Sequence, residues 1–290
     1  MRSHLERRYV RTADATPPSI AALFKKRMGY ALDMSKPQSL NEKLQWIKFN
    51  GIISEMSLCA DKVAVREHLV RLGHRALLNE VYGVWDTASQ IAWDQLPDRF
   101  VLKTNHDPGG VWIVQDKANC DQKEIMKEID LRLSTEFGRN LGEFHYQNIK
   151  PKVMAEALLE EPEGGLTDYK FHCFNGKCHE VMLACDRNNG VQYFFVDRSF
   201  KFLDYLVRDG ANIPSVPTEK PQQLDQMFEI AEQLSDPFDF VRVDLYYIKG
   251  KIIFGELTFF PDSGFDYEFL RSTDLLFGSR LNLNAGTSAP

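Results

Sequence analysis

A lysine at the end of an apolar run, followed by a loop with two glycines, predicts a phosphate-binding element. The stretch RFVLKTNHDPGGVWIV (99–114) runs through a predicted strand to Lys103, breaks into a loop that contains Gly109 and Gly110, and resumes as a second strand. A lysine and a glycine loop together hold phosphate oxygens in many nucleotide sites. We therefore expect this segment to bind a polyanion.

The segment FVRVDLYYIKGKIIFGELTFF (240–260) predicts a β-hairpin that carries two carboxylates on its non-core face. Apolar and polar residues alternate in both arms, and the apolar faces coincide only when paired residues have the same parity. A three-residue loop at 248–250 satisfies this condition. In that register Arg242 faces Glu256, and Asp244 lies one diagonal step from Glu256.

Like charges this close repel each other unless a cation lies between them. Asp244 and Glu256 therefore predict a site for a hard divalent cation, and Mg²⁺ shared with phosphates is the commonest such ion. The alternative is a solvated strand face on which Arg242 pairs with Glu256. One nucleoside triphosphate explains both signals, because Lys103 would bind the phosphates whose charge the metal neutralises. Neither GxxxxGK nor GxGxxG occurs, which excludes a P-loop and a dinucleotide fold.

The elements that position these residues are helices in the first part of the chain and short strands after it. Ser39, three residues before Glu42, predicts a capping box at the start of a helix. Further helices are predicted at 60–73 and 120–138, and Asn175-Gly176 predicts a tight hairpin. The pattern predicts an α+β fold with antiparallel sheets.

We predict three regions along the chain. Residues 1–75 form a helical N-terminal region, 76–152 a subdomain with the glycine loop, and 153–290 a subdomain with the acidic hairpin. Internal repeats and low-complexity tracts are not visible in the sequence.

Composition excludes several classes of protein. The 290 residues carry a net charge of −6 without a cluster of Lys and Arg, which argues against nucleic-acid binding. No run approaches the roughly 18 apolar residues of a membrane span, and no apolar segment follows the basic start, so a signal peptide is not predicted. Five cysteines without paired metal-type spacing favour free thiols in a reducing compartment. We therefore expect a cytoplasmic protein.

Other reactive or aromatic residues have two interpretations each. Two histidines and two cysteines lie within 172–179, but alternate strand faces separate them, so ordinary strand positions are favoured over a zinc site. His106 borders the glycine loop, where a loop residue without catalytic duty is favoured over a substrate contact. Phe259 and Phe260 belong mainly to the core, with the lining of an acceptor cleft as the alternative.

Six segments between about residues 35 and 278 match one known family in the right order. They are SLNEKLQW (39–46), DKVAVRE (61–67), LPDRFVLKTNH…GG (96–110), NIKPKVMAEALL (148–159), DYKFHCFNGK (168–177) and FVRVDLYYIKGKIIFGELTFFP (240–261). On these segments the chain resembles the TupA-like (teichuronopeptide-biosynthesis-like) branch of the ATP-grasp superfamily. The resemblance implies two α+β subdomains that grip ATP between them, with Mg²⁺. It also implies ligation of a small-molecule carboxylate to an amine through an acyl phosphate, usually in bacterial surface polysaccharide biosynthesis.

The resemblance implies a role for each matching residue. These roles are phosphate contact for Lys62, Lys103, Gly109 and Gly110, the adenine edge for Glu156 and Leu158, a ribose or phosphate contact for Asp168, the transferred phosphoryl group for Lys170 and Arg187, the VRVD arginine for Arg242, and metal binding for Asp244 and Glu256.

The chain departs from the family pattern at a few positions. Asp107-Pro108 stands where the family usually has Gly-Ser, which predicts a stiffer loop with a negative charge near the phosphates. Asp262 stands where glycine is usual. Thr258 stands where the wider superfamily often has asparagine, although this branch generally has threonine.

The residues alone leave two rival functions open. A glycosyltransferase would bind a sugar nucleotide, and no DxD triplet is present to support it. A non-catalytic ATP-binding protein is compatible with the altered loop at 107–108. No convincing Ser-His-Asp or Cys-His set occurs, which fits a reaction that needs no side-chain nucleophile.

Overall fold

The structure, a computed structural model, describes residues 18–51, 53–159, 165–185, 190–207 and 219–283. Within them the α-helices are α1 (Pro18–Met28), α2 (Leu40–Asn50), α3 (Ile53–Ala60), α4 (Ala64–Arg71), α5 (Gln122–Leu133), α6 (Leu224–Ser235) and α7 (Arg271–Arg280). The strands are β1 (Val81–Trp85), β2 (Phe100–Thr104), β3 (Val111–Val114), β4 (Val153–Ala157), β5 (Asp168–Phe174), β6 (Lys177–Cys185), β7 (Gln192–Asp197), β8 (Phe202–Leu203), β9 (Phe240–Ile248) and β10 (Lys251–Thr258). The predicted α+β class with antiparallel sheets and a helical first region is confirmed. None of the described helices is long and apolar enough to cross a membrane.

The chain divides into two compact units. The central unit is Ile53–Glu163, and the flanking unit combines Met1–Ile52 with Gly164–Pro290. These limits differ from the predicted division at residues 75 and 152. The reason is β4, which pairs with β1 and β2 and so belongs to the sheet of the glycine loop.

The central unit contains a four-stranded antiparallel sheet in the order β1-β4-β2-β3. Successive residues of a strand point to opposite faces of the sheet. In β2, Phe100 and Leu102 therefore enter an apolar core together with Ile129 of α5. Val101 and Lys103 lie on the opposite face. The apolar periodicity of β2 thus fixes the face on which the lysine lies.

The flanking unit contains a six-stranded antiparallel sheet in the order β10-β9-β5-β6-β7-β8. One face packs on α6, where the ring centroids of Phe171 and Phe228 lie 5.0 Å apart. Lys170 and His172 lie on the other face, and Phe277 of α7 stacks on His172 at 5.8 Å. Burial and the neighbouring Arg242 lower the pKa of His172 to about 3, so this histidine is a neutral core residue.

The acidic hairpin forms, but its register differs from the predicted one. The turn has two residues, Lys249 and Gly250, both with positive φ (49° and 77°), and Ile248 pairs with Lys251. The predicted three-residue loop is therefore wrong. A β-bulge before Glu256 then shifts the pairing of the two arms by one residue.

Gly255 forms this bulge, and a Cβ atom there would lie 2.9 Å from the carbonyl oxygen of Asp244. Beyond the bulge Asp244 pairs directly with Glu256, and Arg242 pairs with Thr258. The predicted diagonal arrangement is wrong for the same reason. Beyond the bulge, paired residues do have the same parity, as the apolar faces require. The bulge, and not the length of the loop, produces this parity.

Two predicted local signals are confirmed. The backbone N–H of Glu42 donates to Ser39 Oγ at 3.3 Å, and that of Ser39 donates to Glu42 Oε2 at 3.0 Å, which is the capping box of α2. Asn175 and Gly176, with φ of 47° and 79°, form the turn between β5 and β6. Both signals depend on a few adjacent residues, so neighbouring structure does not override them.

A stripe of polar residues on α2 is buried against the segment that follows β10. Asn41 Oδ1 accepts the backbone N–H of Asp266 at 2.7 Å. Gln45 Nε2 donates to the carbonyl of Gly264 at 2.7 Å, and Lys48 Nζ donates to the carbonyl of Ser263 at 2.6 Å. These bonds give three backbone groups of that segment side-chain partners on α2, and they hold the end of β10.

Candidate functional site

Three of the segments that carry the resemblance meet at Asn105, which is buried just before the glycine loop. Its Nδ2 donates to Asp61 Oδ1 at 2.9 Å and to the carbonyl of Lys150 at 3.1 Å. Its Oδ1 accepts the backbone N–H of Lys152 at 2.7 Å. The backbone N–H of Lys62 donates to the carbonyl of Asn105 at 3.2 Å. One amide side chain therefore places Lys62 beside the loop.

Lys103 lies on the face of the central sheet opposite α5 and forms an ion pair with Glu156. In the register Lys103 pairs with Val111, and Val101 pairs with Ile113, so these residues share one face. Val111 and Ile113 are 45% and 56% exposed. A cation beside exposed apolar side chains matches a ligand that has an anionic part and an apolar part.

Asp107 lies inside the glycine loop with its side chain fully buried. Its Oδ2 accepts Arg132 Nη1 at 2.5 Å, and its Oδ1 accepts the backbone N–H of Gly110 at 3.2 Å and the hydroxyl of Thr104. Lys62 Nζ donates to the backbone carbonyl of Asp107. The negative charge predicted for this loop is therefore compensated by Arg132, which belongs to α5. We call Lys62, Lys103, Asp107, Arg132 and Glu156 the loop cluster.

The other predicted residues of the central unit lie around this cluster. Gly109 is exposed at the loop tip together with Pro108, and Leu158, just after β4, is half-buried. His106 is buried, with Nε2 3.2 Å from the carbonyl oxygen of Arg132. Burial lowers the pKa of His106. These contacts favour the interpretation of His106 as a loop residue.

Five charged residues on three adjacent strands of the flanking unit form a second network. We call Asp168, Lys170, Arg242, Asp244 and Glu256 the sheet cluster. Lys170 Nζ lies 2.6 Å from Asp244 Oδ2 and 3.3 Å from Asp168 Oδ2. Arg242 Nε lies 2.7 Å from Asp244 Oδ1, and Arg242 Nη2 lies 3.5 Å from Glu256 Oε1. The strand register alone brings these side chains together, because Asp244 pairs with Lys170 on one side and Glu256 on the other.

Asp244 and Arg242 of the sheet cluster stabilise each other's charged form despite their burial. Burial would raise the pKa of Asp244, but Arg242 and Lys170 lower it below its usual value. Burial would lower the pKa of Arg242, but Asp244 and Glu256 raise it above its usual value. The cluster combines two cations with three carboxylates, so it carries an excess of negative charge.

The two paired carboxylates of the sheet cluster fit a magnesium ion. Glu256 is the accessible one, with its side chain 38% exposed against 6% for Asp244. In the part of the chain that the structure describes, no three His, Cys, Asp or Glu residues are grouped to hold a metal by themselves. Mg²⁺ commonly uses one or two carboxylates together with water and substrate phosphates. The alternative ion pair of Arg242 with Glu256 is also present, with Nη2 and Oε1 3.5 Å apart.

Sequence reasoning missed a fourth carboxylate close to the three of the sheet cluster. Burial and the neighbouring Asp262 raise the pKa of Asp266 to about 7. Asp262 and Ser263 have positive φ, 46° and 54°. Glycine adopts this backbone region most readily, which explains why glycine is usual at the position of Asp262.

The polar stripe on α2 was visible in the sequence beside the apolar stripe, and it could have indicated that the segment after β10 packs on this helix.

Two further predictions concern residues near the ends of strands. Phe259 and Phe260 are buried, and the ring of Phe259 packs edge-on against Phe238 at 4.8 Å, which favours the core interpretation. Arg187 lies outside the described residues. Arg132 was not predicted, because its partner Asp107 lies far away along the chain and no local pattern connects the two.

The comparison with protein-family models identifies one family. The model of the TupA-like ATP-grasp family matches residues 42–282. No match is found among curated proteins. D-alanine–D-alanine ligase from Bacillus anthracis is similar in structure, with a TM-score of 0.49, 17% identity, and coverage of 79% of this chain and 69% of that one. Its complex with ATP has a TM-score of 0.49, 13% identity, and coverage of 90% and 78%. For L-amino acid ligase from Bacillus licheniformis the TM-score is 0.48 and the identity 15%, and the coverage is 77% of this chain and 49% of that one.

Proposed function

The chain belongs to the TupA-like ATP-grasp family, and from this premise we propose that it is an ATP- and Mg²⁺-dependent carboxylate–amine ligase. The observation that carries the proposal is the family match over residues 42–282, which contains every residue of the loop cluster and of the sheet cluster. The chemistry of the two clusters supports it, because one has an excess of positive charge and the other has paired carboxylates.

The loop cluster is suited to the triphosphate. Lys62 and Lys103 are cations next to a glycine loop, and the backbone N–H of Gly109 is an additional donor for phosphate oxygens. The N–H of Gly110 is bonded to Asp107 Oδ1, so the proposed part of Gly110 is to bring the loop backbone close to the phosphates. Glu156 forms an ion pair with Lys103, so both Glu156 and the phosphate oxygens would interact with this cation. Glu156 and Leu158 are proposed to contact the adenine edge. The exposed apolar side chains on the same sheet face support a purine ring there.

The sheet cluster is suited to the metal and the transferred group. Asp244 and Glu256 are the proposed ligands of Mg²⁺, which when bound would neutralise phosphate charge. Lys170 and Arg242 lie beside them and would stabilise the negative charge that accumulates as two anions approach. Asp168, 3.3 Å from Lys170 Nζ, orients that lysine and is proposed to contact ribose or phosphate. Arg187 is assigned to the phosphoryl group on the resemblance alone.

The proposed reaction has two steps. A substrate carboxylate oxygen attacks the γ-phosphorus of ATP, the bond from that phosphorus to the β–γ bridging oxygen breaks, and ADP leaves an acyl phosphate behind. An amine then attacks the acyl carbon and loses a proton, inorganic phosphate leaves, and an amide remains. The substrate provides the nucleophile in both steps, so the protein has to bind, orient and neutralise charge.

The proposed substrates follow from the family. We assign the carboxylate to a uronic acid or to an amino-acid-bearing precursor of a bacterial surface polysaccharide, handled in the cytoplasm. Both substrates are then small molecules, free or linked to sugars.

Release of ADP and phosphate in the presence of Mg²⁺ tests the proposal. Amino acids and uronic acids are supplied singly and in pairs, and we expect release to require a carboxylate and amide formation to require both partners. At an ATP concentration near the wild-type KM, Lys103→Ala and Glu256→Gln should each lower release close to background while the fold remains intact. Lys127→Ala and Glu124→Gln are matched controls, because those two residues form an exposed pair at 3.0 Å. Normal turnover in Lys103→Ala or Glu256→Gln would contradict the assignment.

Calorimetry separates the rival functions. Binding of UDP-sugars without binding of ATP would indicate a glycosyltransferase. Binding of ATP without release of ADP across the whole substrate panel would indicate a non-catalytic ATP-binding protein.

A further inference from the structure

The glycine loop of this chain is built around a carboxylate. Asp107 is fully buried, and its two oxygens accept three hydrogen bonds, from Arg132 Nη1, from the backbone N–H of Gly110 and from the Thr104 hydroxyl. A buried carboxylate is costly unless a cation and hydrogen-bond donors compensate it. All of these partners are present, and they come from both ends of the loop and from α5.

The backbone of Gly110 packs closely against Thr104 and the Asp107 carboxylate. A Cβ atom at Gly110 would lie 1.8 Å from Thr104 Oγ1 and 2.8 Å from Asp107 Oδ1. The backbone N–H of Thr104 also donates to the carbonyl of Gly110 at 2.9 Å, which closes the base of the loop. The Asp107 side chain therefore fills the space between the two ends.

Arg132 is the only cation that the structure places on the Asp107 carboxylate among the described residues. It comes from the last turn of α5, and its guanidinium lies over the ring of Phe137, 5.4 Å from the centroid. The carbonyl of Arg132 lies 3.2 Å from His106 Nε2. Arg132 thus contacts two consecutive residues of the loop. Its side chain binds Asp107, and its backbone carbonyl contacts His106.

We propose that Asp107 and Arg132 are positioning residues that hold the glycine loop in a single conformation before a nucleotide binds. Arg132 neutralises Asp107, and Asp107 in turn fixes Thr104 and Gly110, so the exposed tip at Pro108-Gly109 is presented by an ordered base. That the ordered loop serves ATP rests on the function proposed above. A preformed loop binds its ligand without an additional ordering cost, so the pair acts on the KM for ATP more than on kcat.

Hydrogen exchange of the loop amides in the nucleotide-free protein tests the positioning role directly. We compare Arg132→Gln, Asp107→Asn and the double variant, with Arg139→Gln as the control, because Arg139 forms only an exposed pair with Glu136 at 3.6 Å. Arg132→Gln leaves a buried charge without its partner and should accelerate exchange at residues 109–111 by about tenfold. Asp107→Asn should have a smaller effect. The double variant should resemble Asp107→Asn, because the unpaired charge is then gone.

Kinetics give the second readout. Arg132→Gln should raise the KM for ATP by about tenfold with kcat at saturating ATP changed less than about threefold, and the added Asp107→Asn change should restore most of the loss. Arg132→Lys keeps the positive charge, and it replaces Arg132→Gln in these experiments if that variant does not fold. Exchange at wild-type rates in Arg132→Gln, or strictly additive effects in the double variant, would overturn the proposal. Failure of the wild-type protein to bind ATP would overturn the proposed function, while the exchange data would still decide on the positioning pair.

Discussion

The loop cluster and the sheet cluster use the same kinds of side chain with opposite excess charge. The loop cluster has three cations, Lys62, Lys103 and Arg132, and two carboxylates, Asp107 and Glu156. The sheet cluster has two cations, Lys170 and Arg242, and three carboxylates, Asp168, Asp244 and Glu256. An excess of positive charge favours anionic ligands and an excess of negative charge favours cations. The difference indicates which cluster is suited to phosphate and which to metal.

The two clusters also differ in how they are assembled. Neighbouring strands bring the sheet cluster together, so hydrogen bonds of the sheet determine its geometry. Side chains from separate elements bring the loop cluster together, among them Lys62 before α4 and Arg132 at the end of α5. We therefore expect the geometry of the sheet cluster to be sensitive to small changes in the backbone. The geometry of the loop cluster should depend mainly on its side-chain pairs.

The largest expected effect follows from removing the central carboxylate of the sheet cluster. Asp244→Ala leaves Lys170 and Arg242 buried without their main partner and should lower the free energy of unfolding by about 3–5 kcal/mol. The matched change Glu156→Ala removes the partner of Lys103, which is 26% exposed, and should cost about 1 kcal/mol. Urea denaturation measures both. Equal losses would show that the two clusters do not differ in burial of charge.

Separate dependences on metal and on ATP would sharpen the comparison. Glu256→Gln should lower kcat by ~100- to 1000-fold and raise the Mg²⁺ concentration required for half-maximal activity, because Glu256 is the accessible one of the two proposed metal ligands. Lys103→Ala should instead raise the KM for ATP without changing the Mg²⁺ requirement at saturating ATP. Steady-state kinetics with Mg²⁺ and ATP varied independently give both constants. The distinction fails if both variants change the same constant.

The bulge in the sheet cluster provides a backbone test. In Gly255→Ala the new methyl group would lie 2.9 Å from the Asp244 carbonyl and should cost about 1–3 kcal/mol of unfolding free energy. Gly109→Ala in the loop is the control, because its methyl group would lie 3.4 Å from the Arg132 guanidinium, an ordinary contact. We expect its effect on stability to stay below about 0.5 kcal/mol. A tolerated Gly255→Ala would show that the register does not need the bulge glycine.

The last expected effect is a pH dependence near the sheet cluster. The pKa of Asp266 is raised from 3.8 to about 7, so between these values the folded protein binds a proton that the unfolded chain does not. The free energy of unfolding should therefore fall as the pH rises through this window and level off above it. Asp244 has a lowered pKa, and the stability it contributes is lost only at pH values below about 4. Urea midpoints across the window should fall in the wild-type protein and stay flatter in Asp266→Asn, and parallel profiles would contradict this assignment.

Local and periodic features of the fold were predictable. The capping box at Ser39 and the turn at Asn175-Gly176 depend on residues close in sequence, and both were found. Alternation in β2 and in the acidic hairpin predicted which residues share a face, because side chains of a strand point alternately to opposite sides. The order of the matching segments predicted the family, and the match over 42–282 confirmed it.

The amino-acid sequence by itself determined the α+β class, the family and the residue types at the two clusters. The tertiary structure decided the pairing of Asp244 with Glu256, because alternation specifies a face but not the register, and the Gly255 bulge shifts that register by one residue. It also decided the state of Asp107, whose charge is compensated by a residue of another element. The physical reason is common to both: a charged side chain takes its role from partners brought together by backbone pairing and packing, and periodicity along the chain does not encode those partners.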